Sequence, residues 1–216
     1  MRRTFIALAL STAGLAQAAT VSVYTSLADW QAAISGSAQT QDFSGYANGA
    51  DLTGVAVLPG VTLSSNIGAM EVFGAAKSAS AFGAARLAGT GYFEGHYALP
   101  FLAAALDITA FESIPGVPST AVDQGLLSFL FSDGSTQDLL VSGGDGSPIF
   151  FGVVSDRSIT SFRWTEAHEA SGVNEETGLD NLRVAMRAPN PLPLPGSLPL
   201  ALLALGVVPL ARRRRG

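Results

Sequence analysis

Leu126-Leu127-Ser128-Phe129-Leu130-Phe131, a break at Asp133-Gly134, and then Asp138-Leu139-Leu140-Val141 is the stretch that decides the fold. Two short apolar runs flank an Asp-Gly pair, the dipeptide that tolerates the left-handed backbone of a tight turn, so the reading is a β-hairpin with a loop longer than two residues. The same pattern repeats outward. Gly60-Val61-Thr62-Leu63-Ser64, residues 92–99, residues 106–113, residues 149–154, Ile159-Thr160-Ser161-Phe162-Arg163-Trp164 and Leu182-Arg183-Val184-Ala185-Met186 are further short strand candidates. Asp156-Arg157-Ser158 reads as the turn joining another adjacent pair. Near the start, Thr20-Val21-Ser22-Val23-Tyr24 alternates as a strand. Ser26 then has the position of an N-cap with Asp29 three residues on, and Leu27, Trp30 and Ile34 share one helical face before Gly36. Many short strands and one short N-terminal helix predict a mainly β fold, a β-sandwich of jelly-roll type. No βαβ alternation supports a Rossmann or TIM architecture.

The chain has 216 residues and a formal net charge of −5. That average conceals a sharp partition. Six of the 12 basic residues are Arg2, Arg3, Arg212, Arg213, Arg214 and Arg215, which leaves six against all 17 acids in the body, a balance of −11 with Lys77 the one lysine. A body this acidic repels phosphates, so nucleic acid is excluded as a partner. Cysteine is absent, which removes disulfides, thiol nucleophiles and Cys-type zinc sites.

The ends read as addresses. Residues 1–18 form a signal peptide: Arg2-Arg3, an apolar run to about Leu15, and a small-x-small cleavage site with Ala16 and Ala18. The body is residues 19–188. Residues 189–197, with Pro189, Pro191, Pro193 and Pro195, form an extended linker. Residues 198–216 form a single hydrophobic helix, a marginal membrane span whose Arg212, Arg213, Arg214 and Arg215 orient it with that end cytoplasmic.

The run Leu192-Pro193-Leu194-Pro195-Gly196-Ser197, the apolar stretch and the terminal arginines together resemble the PEP-CTERM class of sorting signals, in the variant with a Val-Pro-Leu-Pro-Ala core. Leu192 and Gly196 depart mildly from that core. The resemblance implies a Gram-negative exported protein whose sorting motif (Pro193, Leu194, Pro195, Gly196) is recognised by an exosortase-type membrane enzyme. Its expected course is a transient inner-membrane anchor, followed by the cell surface or extracellular matrix. A permanent anchor is the competing reading. A sortase tail would need Leu-Pro-x-Thr-Gly, and a GPI signal has no basic terminus. The body also resembles modules common in such proteins, through Asp42-Phe43-Ser44-Gly45, Gly60-Val61-Thr62-Leu63, Phe151-Gly152-Val153 and Gly178-Leu179-Asp180-Asn181, a likeness that implies a fold and no activity.

No catalytic set emerges. The two histidines, His96 and His168, lack ligand spacing, and Glu166-Ala167-His168-Glu169 is not a His-Glu-x-x-His motif. No Gly-x-Ser-x-Gly elbow occurs. Glu166 with Glu169, and Glu175 with Glu176, are the paired carboxylates a glycosidase would need, set against plain solvated loop acids. No metal set or cofactor is assigned. For a structural calcium the candidates are Asp42 and Asp180, in jelly-roll loop positions, against ordinary turn and capping roles; Gly143-Gly144-Asp145-Gly146 resembles one isolated turn of a calcium repeat. Tyr46, Tyr92, Tyr97 and Trp164 would stack on sugars wherever they are exposed. The expectation is therefore a non-enzymatic exported surface or matrix protein, with exopolysaccharide as a partner. The alternative is a secreted glycan-binding module or polysaccharide hydrolase.

Overall fold

A computed structural model describes residues 19–34, 36–84, 91–109, 111, 124–142, 147–166 and 174–186. Its elements run β1 (Val21–Tyr24), α1 (Leu27–Ala33), β2 (Gln39–Gln41), β3 (Ala56–Leu58), β4 (Val61–Ser65), β5 (Met70–Phe73), β6 (Ser78–Ala84), β7 (Tyr92–Thr109), β8 (Gln124–Phe131), β9 (Thr136–Ser142), β10 (Ile149–Glu166) and β11 (Asn174–Ala185). The strands join in one sheet, with β5-β6-β11-β7-β10-β8-β9 as its main path.

Two long strands fold that sheet over. The first part of β7 lies between β4 and the second part of β10, with β8 and β9 beyond. The second part of β7 lies between the first part of β10 and β11, with β6 and β5 beyond. The crossing is marked by register shifts between Val154 and Ile159 and between Ile159 and Ser161. Such bulges bend a strand and increase its twist. Pro100 sits in β7 at the same crossing, where the ladder is interrupted and its missing N–H costs nothing.

The inner faces of the two layers meet in one apolar cluster. Leu63, Phe93, Phe129, Phe162 and Trp164 come from the first layer, and Met70, Val72, Leu106, Ile108, Leu179 and Val184 from the second. Each large side chain buried this way contributes about 1.5–3 kcal/mol. A smaller cluster lies outside the second layer, where Trp30 and Ile34 cover Ala103, Ala105 and Val154. A seven-residue helix cannot persist alone. Here α1 is anchored by the Trp30 indole N–H, which donates to the Val153 carbonyl at 3.1 Å, and Ser26 is its N-cap. The helix closes at Ile34, before Gly36 is reached.

The deciding hairpin is β8–β9, with Leu130 opposite Thr136. Gly134 takes φ +82°, and the Asp133 carboxylate accepts from the Ser135 N–H and hydroxyl at 3.0 and 2.6 Å. One expected connection is corrected, and two separate strand candidates prove continuous. Residues 149–154 and 159–164 are not an adjacent pair but one strand, β10, because Asp156-Arg157-Ser158 forms the layer crossing rather than a reversal. Its groups bond outward there: the Thr20 N–H donates to Asp156, and Ser158 accepts from the Ser132 N–H. Residues 92–99 and 106–109 are likewise one strand, β7. The expected signal peptide, linker, sorting motif and arginine-tipped tail lie outside the described residues, among which no helix is long and apolar enough to cross a membrane.

Candidate functional site

The hairpin and the crossing strands lay out five neighbouring strands, β4, β7, β10, β8 and β9, in that order. Alternation sends Phe93, Phe162, Phe129 and Leu63 inward, so the intervening residues form an outer grid. Register sets its three rows. His96 lies between Thr62 and Ser161, followed by Leu130 and Thr136; Glu94 lies between Ser64 and Arg163, followed by Ser128 and Asp138; and Tyr92 is followed by Thr165, Leu126 and Leu140. A shallow cavity of about 420 Å³ opens over the middle of the grid, lined by both charged partners, His96, Ser128, Ser161 and Thr136 among others.

Its centre is a held cation. Arg163 donates from Nε at 3.0 Å and from Nη2 at 2.6 Å to Glu94 Oε2, and its guanidinium carbon lies 4.1 Å from the centroid of the Tyr92 ring. Glu94 Oε1 accepts from the Ser64 hydroxyl at 3.3 Å and lies 3.1 Å from His96 Nε2. Partial burial works against ionisation of Glu94, but the hydrogen bonds and charges of Arg163 and His96 outweigh it and hold the carboxyl below the usual range. The Glu94 carboxylate is thus occupied on both oxygens. Arg163 has five N–H donors and uses two on Glu94, so three remain on a side chain that lines the cavity together with His96 and three hydroxyls.

Other expected positions fall differently. Trp164 and Tyr97 are buried, so neither offers a stacking surface, and the Tyr92 ring is already covered by Arg163. The expectation of a solvated or catalytic Glu166 is corrected. It is buried, and its Oε1 accepts from the Trp164 indole N–H at 2.9 Å and the Thr177 hydroxyl at 2.8 Å, a link between the two layers. Glu169 and His168 lie outside the described residues. Glu176 is exposed on β11, opposite Phe82.

Asp42 and Asp180 do come within electrostatic reach, joined by Asp107 across the β7–β11 pair. Burial, with Asp107 and Asp42 nearby, pushes the Asp180 carboxyl above its ordinary range despite the Asn181 N–H. The oxygens are already engaged: Asn181 Nδ2 donates to Asp107 and Asp180 at 2.8 and 3.1 Å, and Ser44 donates to Asp42 from its N–H and hydroxyl. Among the described residues no group of three or more His, Cys, Asp or Glu is arranged to hold a metal ion.

The Glu94–Arg163–His96 centre went unrecognised in the sequence because its members lie 69 residues apart or within a strand that reads as aromatic. The one available signal was the in-register alternation of β7 and β10.

No protein-family model matches the chain, and no curated protein matches it. Among solved structures, the chain is similar to a family 11 carbohydrate-binding module from Clostridium thermocellum, in complex with a β-1,3-1,4-mixed-linked tetrasaccharide. The identity is 16%, over 71% of this chain and 98% of that one, with a TM-score of 0.33. The solution structure of CtCBM11 gives 16% over 68% and 94%, with a TM-score of 0.32. A structure described as showing the promiscuous specificity of carbohydrate-binding modules from the β-sandwich superfamily gives 10% over 77% and 56%, with 0.33.

Proposed function

We propose that the body is a non-catalytic glycan-binding module whose binding surface is the five-stranded outer face. The observation that carries this is the fixed Arg163. Its orientation is set by Glu94 and Tyr92 before any ligand arrives, so little side-chain freedom is lost on binding. Around it stand hydroxyls on neighbouring strands and a ring nitrogen, the mix of donors and acceptors that suits a polyhydroxylated chain. The exposed Leu126, Leu130 and Leu140 border the polar centre and offer apolar surface to sugar C–H faces. A hydrolase needs a carboxylic acid free to move a proton; Glu94 is held ionised and saturated, and Glu166 is sealed in the core. The −11 balance of the body favours neutral chains over polyanionic ones.

The test is affinity electrophoresis and calorimetry against neutral soluble polysaccharides. Arg163→Ala should weaken binding at least about tenfold, the size expected for losing charge-assisted hydrogen bonds. An undiminished affinity would remove this face from consideration.

Delivery is a separate proposal. The signal peptide and the PEP-CTERM-like ending support export, recognition by an exosortase-type enzyme, and release or attachment at the cell surface or in the extracellular matrix. Their support is the sequence of residues 1–18 and 189–216.

A further inference from the structure

The second layer also has an outer face, and at its rim a second concavity of about 420 Å³ is lined by Phe73, Gly74, Phe82 and Glu176. Its walls follow from alternation. Met70 and Val72 of β5, and Ala79 and Ala81 of β6, point into the core, so Phe73 and Phe82 are left outside, 37% and 55% exposed. Glu176 is the direct cross-strand neighbour of Phe82, which places the carboxylate beside that ring. Two aromatic side chains thus keep apolar surface partly exposed, next to a carboxylate with no hydrogen-bonding or ionic partner among the described residues.

The electrostatics select what would cover that surface. Aromatic faces carry partial negative charge, Glu176 carries a full one, and the acidic body adds a negative field. Among the described residues no cation lines the concavity; Lys77, in the β5–β6 turn, donates to Asn48 at 2.7 Å. A bare metal ion would have to shed water against apolar rings, and an anion would meet repulsion. A weakly hydrated cation with its own C–H surface satisfies both kinds of wall. We infer that this rim is a binding site for a ligand bearing an alkylated ammonium group, independent of the face that carries Arg163.

Choline and its uncharged tert-butyl isostere are the probes, titrated into the full chain by calorimetry. Choline should bind saturably, with the isostere about fivefold weaker or more, the discrimination expected of a cation–π contact beside a charge. Phe82→Leu keeps an apolar wall but removes the ring, and should weaken choline about fivefold while leaving the isostere unchanged. Glu176→Gln should weaken choline alone. Both side chains are exposed, so the melting temperature of each variant verifies that folding is intact. Equal affinity for choline and isostere, no saturable choline binding at millimolar concentration, or no response to either variant would overturn the inference.

Discussion

Glu94 shows how a single side chain reports on the proposed face. Its carboxyl is held below the ordinary range, so its contribution to stability is present above the unfolded-state value, about pH 4, and is lost as pH falls through the lower folded-state value. Glu94→Gln should therefore melt below the wild type at neutral pH, and the gap should close in acid below about pH 4. Melting curves across pH check this; a gap that persists unchanged in acid would contradict the ion-pair account. Asp180 has the opposite sign. Its raised carboxyl contributes most below the unfolded-state value, and that contribution fades as pH rises through the folded one. Phe43 shows a different residue-scale constraint. It is fully buried at φ +55°, a left-handed backbone held by the Gln41 side chain, which accepts the Phe43 N–H at 2.8 Å.

At the scale of elements, glycines decide which side chains can lie against the sheet. A Cβ on Gly152 would sit 2.5 Å from the Trp30 indole, so the strand has no side chain where α1 docks. Gly152→Ala should lift α1 from β10 and cost about 1–3 kcal/mol in denaturant unfolding, the range for overpacking; a neutral substitution would mean that the helix does not pack there. Gly95 and Gly125 make the same allowance for Phe162 and Trp164. The legible elements were those with strong local chemistry: the Asp133-Gly134 hairpin, β1 and β4. Strands β2, β3, β5 and β6 were missed. β6 reads Ser-Ala-Ser-Ala, where small residues carry no hydrophobic contrast, and its inward Ala79 and Ala81 matter only because larger partners face them. β10 was misread as two strands joined by a turn because the polar Asp156-Arg157-Ser158 at the layer crossing are also turn residues, and only tertiary pairing tells the two apart.

For the molecule as a whole, the partition of charge first seen in composition has a physical counterpart. The body presents an arginine-centred polar face and an aromatic, acidic rim on the outer sides of its two layers, and the basic clusters belong to the ends. If the ends are addresses, deleting residues 191–216 should abolish processing in an exosortase-bearing host. Loss of the exosortase from that host should leave the full chain larger and membrane-associated, as read by gel mobility and fractionation. Unchanged size and location would contradict the sorting proposal while leaving the binding face untouched. That face was half legible. Tyr92 was singled out for stacking, and its role as a support for Arg163 could be read only from the register of β7 against β10. The central claim is most directly tested by backbone amide NMR of the body titrated with a neutral oligosaccharide. Perturbations should concentrate on Tyr92, Glu94, His96, Ser128, Ser161 and Arg163. Saturable shifts confined to other surfaces, or none with any neutral glycan, would contradict it.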